Sequence, residues 1–211
     1  MRNLLRIFVM TGLILMLAAC GGGDAPAATS ESQPTAESVI ETNAVPTLSQ
    51  TYTSDGTMFP VGLSFQYPDG WVVSTPINNI ILIATSEATA SKTFSSASLD
   101  TGEAVIQLAL NTRNNSDEEI TAHVSSFAGS IGIPLGEASA LTLGEHSAAR
   151  VDGQNDARHL MVISVLFENA VDVVIGSGDT YVEAVTYSNP GEFTQMEPTL
   201  LAIIESINYG N

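Results

Sequence analysis

The first clear patterns of apolar and polar residues along the chain are those of β-strands. Residues 63–67 alternate strictly between apolar and polar side chains, and this period of two predicts a strand with one buried face. The continuous apolar run 80–84 predicts a strand buried on both faces, and residues 104–110 have another strand pattern. Residues 85–103 are rich in Ser, Thr and Ala without a period, so they predict a long loop.

A turn follows the first predicted strand. Pro68, Asp69 and Gly70 have turn chemistry, because proline fixes φ and glycine accepts a positive φ. Trp71, the only tryptophan in the chain, comes directly after this turn. We expect Trp71 to anchor the core, and the alternative is a platform on which a carbohydrate stacks.

Two segments have the period of an α-helix. In the first, Ser116 and Glu119 have the spacing of a capping box, and the apolar residues that follow share one face for about four turns: Ile120, Val124, Phe127 and Ile131. His123 lies at the edge of that face, where a partly buried, hydrogen-bonded side chain is expected. Residues 193–207 predict a closing helix with Pro198 in its first turn.

The region between these helices is rich in strand patterns. Residues 141–144 and 148–151 predict two short strands about a turn, and residues 152–156 predict a second turn. Three further strands, separated by polar or glycine-containing turns, are predicted at residues 159–167, 171–175 and 181–187. Together these three segments predict an antiparallel meander. The whole pattern predicts an α+β fold with a central antiparallel β-sheet flanked by helices.

The N-terminal residues have a different character. Arg2 and Arg6 precede an apolar run over residues 7–17, which is too short for a spanning helix of about 20 apolar residues. A basic head, a short apolar run and small residues before a cleavage point are the parts of a secretory signal. We therefore expect residues 1–19 to be removed as a signal peptide.

The stretch Leu17-Ala18-Ala19-Cys20, followed by three glycines, resembles the lipobox of bacterial lipoproteins, in which the cysteine becomes the acylated first residue. The resemblance implies lipidation of Cys20 and an anchor in the cell membrane or outer envelope, facing outside the cytoplasm. The alternative is a lone buried cysteine in an ordinary signal peptide. The Gly, Ala, Ser, Thr and Pro composition of residues 20–51 predicts a disordered linker, so the folded domain is expected at residues 52–211.

Charge narrows the classes of partner. The chain has 23 acidic and 6 basic residues, a formal net charge of −17. This argues against nucleic acid, whose phosphates require clustered Lys and Arg, and against docking on anionic lipid headgroups. It favours solubility, cations or basic partners. Cys20 is the only cysteine, so no disulfide can form within one chain.

The order of the predicted elements is similar to that of the PsbP-like domain family. The resemblance rests on Leu-Ser-Phe-Gln-Tyr-Pro-Asp-Gly-Trp at residues 63–71, a strand ending near Gly102-Glu103-Ala104, a mid-chain helix, a β-meander and a closing helix that ends in Ile203-Ile204-Glu205-Ser206-Ile207. It covers nearly all of residues 55–211. It implies a sheet between helices and a protein-binding role, because the family includes extrinsic photosystem II subunits, a Ran-binding nuclear factor and bacterial lipoproteins. The family has no shared catalytic residues.

Potential metal ligands cluster within one short region: Glu145, His146, Asp152, Asp156 and His159. Their spacing fits neither an EF-hand loop nor a zinc site, and the competing interpretation is a turn with its acids in water. The chain also has no Gly-x-Ser-x-Gly nucleophile elbow, since Ser130 falls at the end of a predicted helix and Ser177 in a predicted turn. We expect no catalytic residue and no cofactor.

The sequence predicts a membrane-anchored extracytoplasmic lipoprotein that serves as a non-catalytic binding or assembly module of the cell envelope. Its expected partners are membrane lipid, through acylated Cys20, and a protein or peptide. The alternative is a divalent-cation-binding protein or an envelope hydrolase that uses residues 145–159. Convergence of the metal candidates His146, Asp152, Asp156 and His159 would favour that alternative. An apolar groove or an exposed hydrophobic patch would favour a peptide, lipid or partner protein.

Overall fold

The computed structural model describes residues 47–59, 62–113, 117–172 and 176–209, all within one compact unit, Thr42–Asn211. The predicted signal peptide, Cys20 and the linker up to residue 46 lie outside the described residues, as does Ser116 of the predicted capping box. No helix in the described ranges has the length and apolar character needed to cross a membrane.

The described residues form nine strands and three helices: β1 (Leu48–Thr53), β2 (Ser64–Pro68), β3 (Val72–Ile77), β4 (Ile80–Ala84), α1 (Glu87–Lys92), β5 (Ala104–Thr112), α2 (Ile120–Gly129), β6 (Ser139–Leu143), β7 (His146–Gln154), β8 (His159–Asp172), β9 (Gly176–Ser188) and α3 (Phe193–Glu205). Seven strands form one sheet in the order β3-β4-β5-β9-β8-β7-β6. Every neighbouring pair is antiparallel. The predicted α+β class, a central antiparallel sheet flanked by helices, is confirmed.

Additional elements pack on both faces of this sheet. On one face, α3 and the antiparallel β1-β2 pair bury side chains such as Phe65 and Leu200. On the other face, α1 and α2 bury Ala90 and Val124. Residues 80–84 contribute to both cores because alternate side chains of β4 point to opposite faces. The continuous apolar run is therefore a strand buried on both faces, as predicted.

Residues 85–103 contain α1, so the prediction of a long loop is wrong. The Oγ of Ser86 caps this helix by accepting a hydrogen bond from the Thr89 amide at 3.0 Å. Lys92 lies in the last turn, where a positive charge is favourable. The helix has six residues and buries only Thr89 and Ala90. A helix this short, with small buried side chains, does not show the repeating apolar positions by which a helix is recognised in a sequence.

The predicted meander consists of two long strands instead of three. Residues 168–169, predicted as a turn, lie within β8, where the register shifts between Phe167 and Ala170. Such a shift marks a β-bulge, in which an extra residue disturbs the pairing without ending the strand. Residues 176–179, also predicted as a turn, belong to β9.

The turn predicted at residues 152–156 begins too early. β7 continues to Gln154, and the chain reverses at Asn155. The side-chain oxygen of Asn155 accepts hydrogen bonds from the amides of Ala157 and Arg158, each at 2.9 Å. An Asn side chain can stabilise such a reversal by bonding amides two and three residues ahead.

Both predicted helices exist, with different bounds. α2 has ten residues, fewer than the predicted length of about four turns. Glu119 occupies its N-cap without a side-chain hydrogen bond, so Glu119 does not have the predicted third-residue position of a capping box. Ile131 lies beyond the helix. α3 contains Pro198 in its second turn instead of its first.

The folded part of the chain begins before residue 52. β1 starts at Leu48, inside the segment whose composition predicts a linker. Tyr52 of β1 stacks on Phe65 of β2 with ring centroids 5.0 Å apart, which explains why this short strand pairs. Trp71, expected to anchor the core, is partly buried and packs at the edge of it.

Candidate functional site

Two of the four metal candidates meet beside the start of α3. The Nε2 atom of His159 lies 3.4 Å from Oδ1 of Asp152, and the His159 ring stacks on Phe193 at 3.5 Å. Arg150 holds both oxygens of Asp152, with Nε at 2.6 Å and Nη2 at 2.9 Å. It also pairs with Glu197 of α3 at 2.5 Å. A cation at Asp152 would have to displace the Arg150 guanidinium. The contacts of Arg150 with Asp152 on β7 and Glu197 on α3 instead join the helix to the sheet.

The other two candidates lie elsewhere. His146 is at the far end of β7 from Asp152, about 20 Å along the strand, and its ring contacts Phe167 at 4.1 Å. It lines a cavity of about 220 Å³ together with Glu145 and Glu168. Asp156 is exposed in the turn after β7. Within the described ranges, no three His, Cys, Asp or Glu side chains are arranged to hold a metal ion. The four candidates therefore do not converge.

A serine, a carboxylate and a histidine are in contact beneath α2, although in the wrong order for a hydrolase. Ser164 donates to Oε2 of Glu183 at 2.5 Å, and Oε1 of Glu183 lies 2.6 Å from Nε2 of His123. In a catalytic triad the histidine contacts the serine, whereas here the carboxylate separates them. Ser164 and Glu183 are 0% exposed, so no substrate reaches this serine.

This network joins α2 to the sheet through the contact between His123 and Glu183. The hydrogen bond with Glu183 raises the pKa of His123 above its ordinary value, against the lowering effect of burial. Glu118 adds a weaker contact to Nδ1 at 3.4 Å, and the ring stacks on Tyr181 at 3.8 Å. The expectation of a hydrogen-bonded His123 at the edge of the helix face is confirmed, and its burial is nearly complete.

Replacing His123 by Gln should lower the free energy of unfolding by about 3 kcal/mol near pH 6, the scale for removing one partner of a buried ion pair. Because the folded-state pKa of His123 is raised, the stabilisation is complete below the unfolded-state pKa of about 6.5 and is lost as the pH rises through the folded-state pKa. The difference between wild type and His123→Gln should therefore shrink at higher pH. Urea unfolding across a pH series measures it.

Ser164→Ala is the matched control, because it removes the neighbouring hydrogen bond to Glu183 without removing a titrating group. Its destabilisation should not follow the His123 profile. A His123→Gln difference that is constant or grows with pH would contradict a charged pair.

An apolar groove lies between α1 and the edge strand β3. Its floor is formed by β3 and β4 and its wall by α1 and Phe94, two positions beyond the end of α1, with a volume of about 320 Å³. The lining is mostly apolar and includes one charged side chain: Val72, Val73, Ser74, Pro76, Leu82, Glu87, Ala90, Ser91 and Phe94. We call this cavity the α1 groove.

The α1 groove follows from the strand order and the length of α1. β3 is at the edge of the sheet, and α1 packs on β4 and β5. A helix of six residues is only about 9 Å long, so it leaves the β3 floor open. The wall residues Glu87, Ala90, Ser91 and Phe94 are spaced by three or four positions and therefore share one side of the helical segment.

Phe94 is exposed at the end of this groove. It is 54% exposed, and with Ile77 at 49% it is one of two large exposed hydrophobic side chains in the described ranges. Phe94 also borders a second cavity of about 380 Å³, next to Ile131, Ile133 and Tyr187. The ring therefore separates two concave surfaces.

Arg158 holds the loop that carries Phe94. Its Nη2 donates to the carbonyl oxygens of Lys92, Ser95 and Ala97, each at 2.7 Å, and Nε donates to Ala97 at 3.0 Å. Arg158 is 6% exposed, and its guanidinium lies over the Tyr187 ring at 5.1 Å. The loop is thus fastened on both sides of Phe94, so the exposure of this ring is part of the folded structure.

No sequence pattern predicts a functional role for Phe94, Arg158 or the β3 edge. The only available signal is an aromatic residue inside the Ser, Thr and Ala-rich stretch 85–103. Nothing in the local sequence indicates that Arg158 contacts a loop more than sixty positions away.

Arg158→Ala should raise amide hydrogen exchange in residues 93–97 by about tenfold or more, because several hydrogen bonds of about 1 kcal/mol each are lost. Hydrogen–deuterium exchange by mass spectrometry measures this, with peptides from α3 as the internal reference. Arg158→Lys should restore little protection, since an ammonium cannot reproduce the planar fork of donors. Unchanged exchange in Arg158→Ala would show that the loop is held by other contacts.

Comparison with known proteins gives similarity in structure only. No protein-family model matches this sequence, and no curated protein matches it either. Cyanobacterial PsbP (CyanoP) from Synechocystis sp. PCC 6803 is 13% identical, with a TM-score of 0.44 over 76% of this chain and 91% of that chain. LpqN from Mycobacterium tuberculosis, described as involved in cell envelope biogenesis, is 17% identical, with a TM-score of 0.45 over 77% of this chain and 90% of that chain.

A protein from Bacteroides thetaiotaomicron VPI-5482 is 11% identical, with a TM-score of 0.44 over 78% of this chain. The present chain spans 50% of the length of that protein. Because these TM-scores and identities are low, the fold assignment rests on the strand order and register described above.

Proposed function

We propose that this protein is a lipoprotein of the cell envelope, anchored in the membrane through Cys20 and facing outside the cytoplasm, whose domain is a non-catalytic binding module. The observation that carries the binding role is the α1 groove with the exposed, fastened ring of Phe94 at its end. An apolar groove beside an exposed aromatic side chain is typical of an interaction site.

Phe94 exposes apolar surface to water, and a partner would cover that surface. Burying a Phe side chain is worth about 1.5–3 kcal/mol, and aromatic anchors often dominate the energy of protein interfaces. A single exposed hydrophobic residue is ordinary on a protein surface. Here the ring continues the apolar lining of the groove, and Arg158 holds its loop in place. Such pre-organisation lowers the entropic cost of binding.

The chemistry of the groove supports binding over catalysis. Glu87 is its one charged lining residue, and no histidine lines it. The titratable clusters around Arg150 and His123 join secondary-structure elements to each other and lie away from the α1 groove lining. A reaction needs acid, base or nucleophile groups that converge on a substrate, and the α1 groove offers no such set among its lining residues.

The anchor rests on the sequence. Leu17-Ala18-Ala19-Cys20 resembles a lipobox, and stable anchoring requires more than one acyl chain, because a single chain gives marginal, reversible binding. The Gly, Ala, Ser, Thr and Pro composition of the residues after Cys20 predicts a linker between this anchor and the folded domain.

Cys20→Ala should release the protein from the membrane fraction and abolish labelling by a clickable fatty acid, because the thiol is the proposed acylation site. Gly22→Ala, two residues away, is the matched control and should remain in the membrane with its label. Fractionation with carbonate and detergent washes makes the measurement. Membrane retention of Cys20→Ala at the wild-type level would contradict the anchor.

A further inference from the structure

We infer that the α1 groove binds a cationic peptide segment of another protein, with an apolar side chain inserted between α1 and β3 and Lys or Arg residues on either side of it. This inference rests on the proposed function, since it names the partner of the same groove. It is carried by the charges around the groove and by the groove's dimensions.

The basic side chains that the structure describes are already engaged. Lys92, at the end of α1, contacts Asp100 at 2.8 Å and Glu103 at 2.6 Å. Arg158 is buried under the Phe94 loop, and its guanidinium donates hydrogen bonds only to carbonyl oxygens within the described ranges. The remaining two, Arg113 and Arg150, form ion pairs with acids. None of these groups offers an anionic ligand a free positive charge beside the groove.

Negative charge, in contrast, is available there. Glu87 is exposed on the groove wall and makes no ion pair with the residues that the structure describes. Asp156 is exposed in the turn whose neighbours line the cavity on the other side of Phe94, whereas Asp100 is already paired with Lys92. Opposite charges at the rim of an interface steer association and select partners.

The same charges disfavour two other occupants. A second copy of this chain would bring another net charge of −17 to the contact, and like charges at an interface are costly. An anionic lipid headgroup would meet Glu87 without a cation to bind it. A peptide with an apolar side chain and flanking Lys or Arg complements both the apolar lining and the Glu87 carboxylate.

The shape of the groove sets the length and mode of binding. Its helical wall is about 9 Å long, which matches two or three residues of an extended peptide at about 3.3 Å per residue. Strand addition to β3 is disfavoured, because Pro76 lacks an amide donor and the register shifts between Ser74 and Ile77. The peptide therefore binds through its side chains.

The test uses the full chain in nanodiscs of zwitterionic phosphatidylcholine and three fluorescein-labelled peptides. Each has the core Leu-Phe-Leu between two pairs of flanking residues, and the flanks are all Lys, all Gln or all Glu. Fluorescence anisotropy at low and high salt, with empty nanodiscs as the blank, gives the affinities. The Lys peptide should bind about tenfold or more tightly than the Gln peptide at low salt, and the advantage should fall as salt screens the rim. The Glu peptide should not bind measurably.

Three variants locate the binding. Phe94→Ser should weaken the Lys and Gln peptides about tenfold or more, because it removes the aromatic anchor, and it should leave the melting temperature near the wild-type value because the ring is 54% exposed. Glu87→Gln should weaken the Lys peptide severalfold and spare the Gln peptide. Glu205→Gln, an exposed acid on α3 at the opposite face of the sheet, should change neither affinity.

The outcomes separate the inference from the proposed function. Equal, Phe94-dependent binding of the Lys and Gln peptides would overturn the cationic partner and leave the binding groove intact. Binding that does not depend on Phe94 would overturn both. Phe94-dependent dimerisation in sedimentation experiments, or Phe94-dependent binding of a fluorescent palmitate that excludes the Lys peptide, would overturn the inference in favour of a second copy or an acyl chain.

Discussion

A seven-stranded sheet with two apolar faces imposes the constraint on which the rest of the structure depends. Strands about 4.8 Å apart make such a sheet roughly 30 Å wide, while each helix covers a width of about 10 Å. One face is covered by α3 together with the β1-β2 pair. The other face has α1 and α2, and α1 is only six residues long. The strip over the edge strand β3 remains open, and it forms the floor of the α1 groove.

The few cations of this acidic domain hold its elements together. His123 fastens α2 to the sheet through Glu183, Arg150 fastens α3 through Asp152 and Glu197, and Arg158 fastens the loop after α1. Charges used in this way are partly or fully removed from solvent. In the protein interior they interact more strongly than at the surface. As a consequence, the exposed charged side chains of the described residues are carboxylates. That distribution connects the internal packing to the class of partner that the α1 groove can attract.

The sequence predicts those parts of the fold whose pattern is local. Alternation at residues 63–67 and the apolar run 80–84 identify two strands, and the order of elements identifies the α+β class and its resemblance to PsbP. The sequence does not predict α1, because a six-residue helix with small buried side chains has no detectable period. The strand bounds near residues 154 and 168 differ because pairing continues through polar residues when a neighbouring strand supplies the hydrogen bonds. The sequence does not predict the α1 groove for a related reason. Phe94 and Arg158 acquire their roles only through a contact between segments that are distant in the chain.

The most direct test of the central claim, that the domain binds a partner through the α1 groove, is photo-crosslinking in living cells. A benzoylphenylalanine is placed at position 94 of the full, membrane-anchored chain, and in a matched variant at the exposed position 205 on α3. A discrete crosslinked protein at position 94 that is absent at position 205, and that disappears when Glu87→Gln and Pro76→Arg alter the groove, is the predicted result. No product at position 94, or the same products at both positions, would contradict the claim.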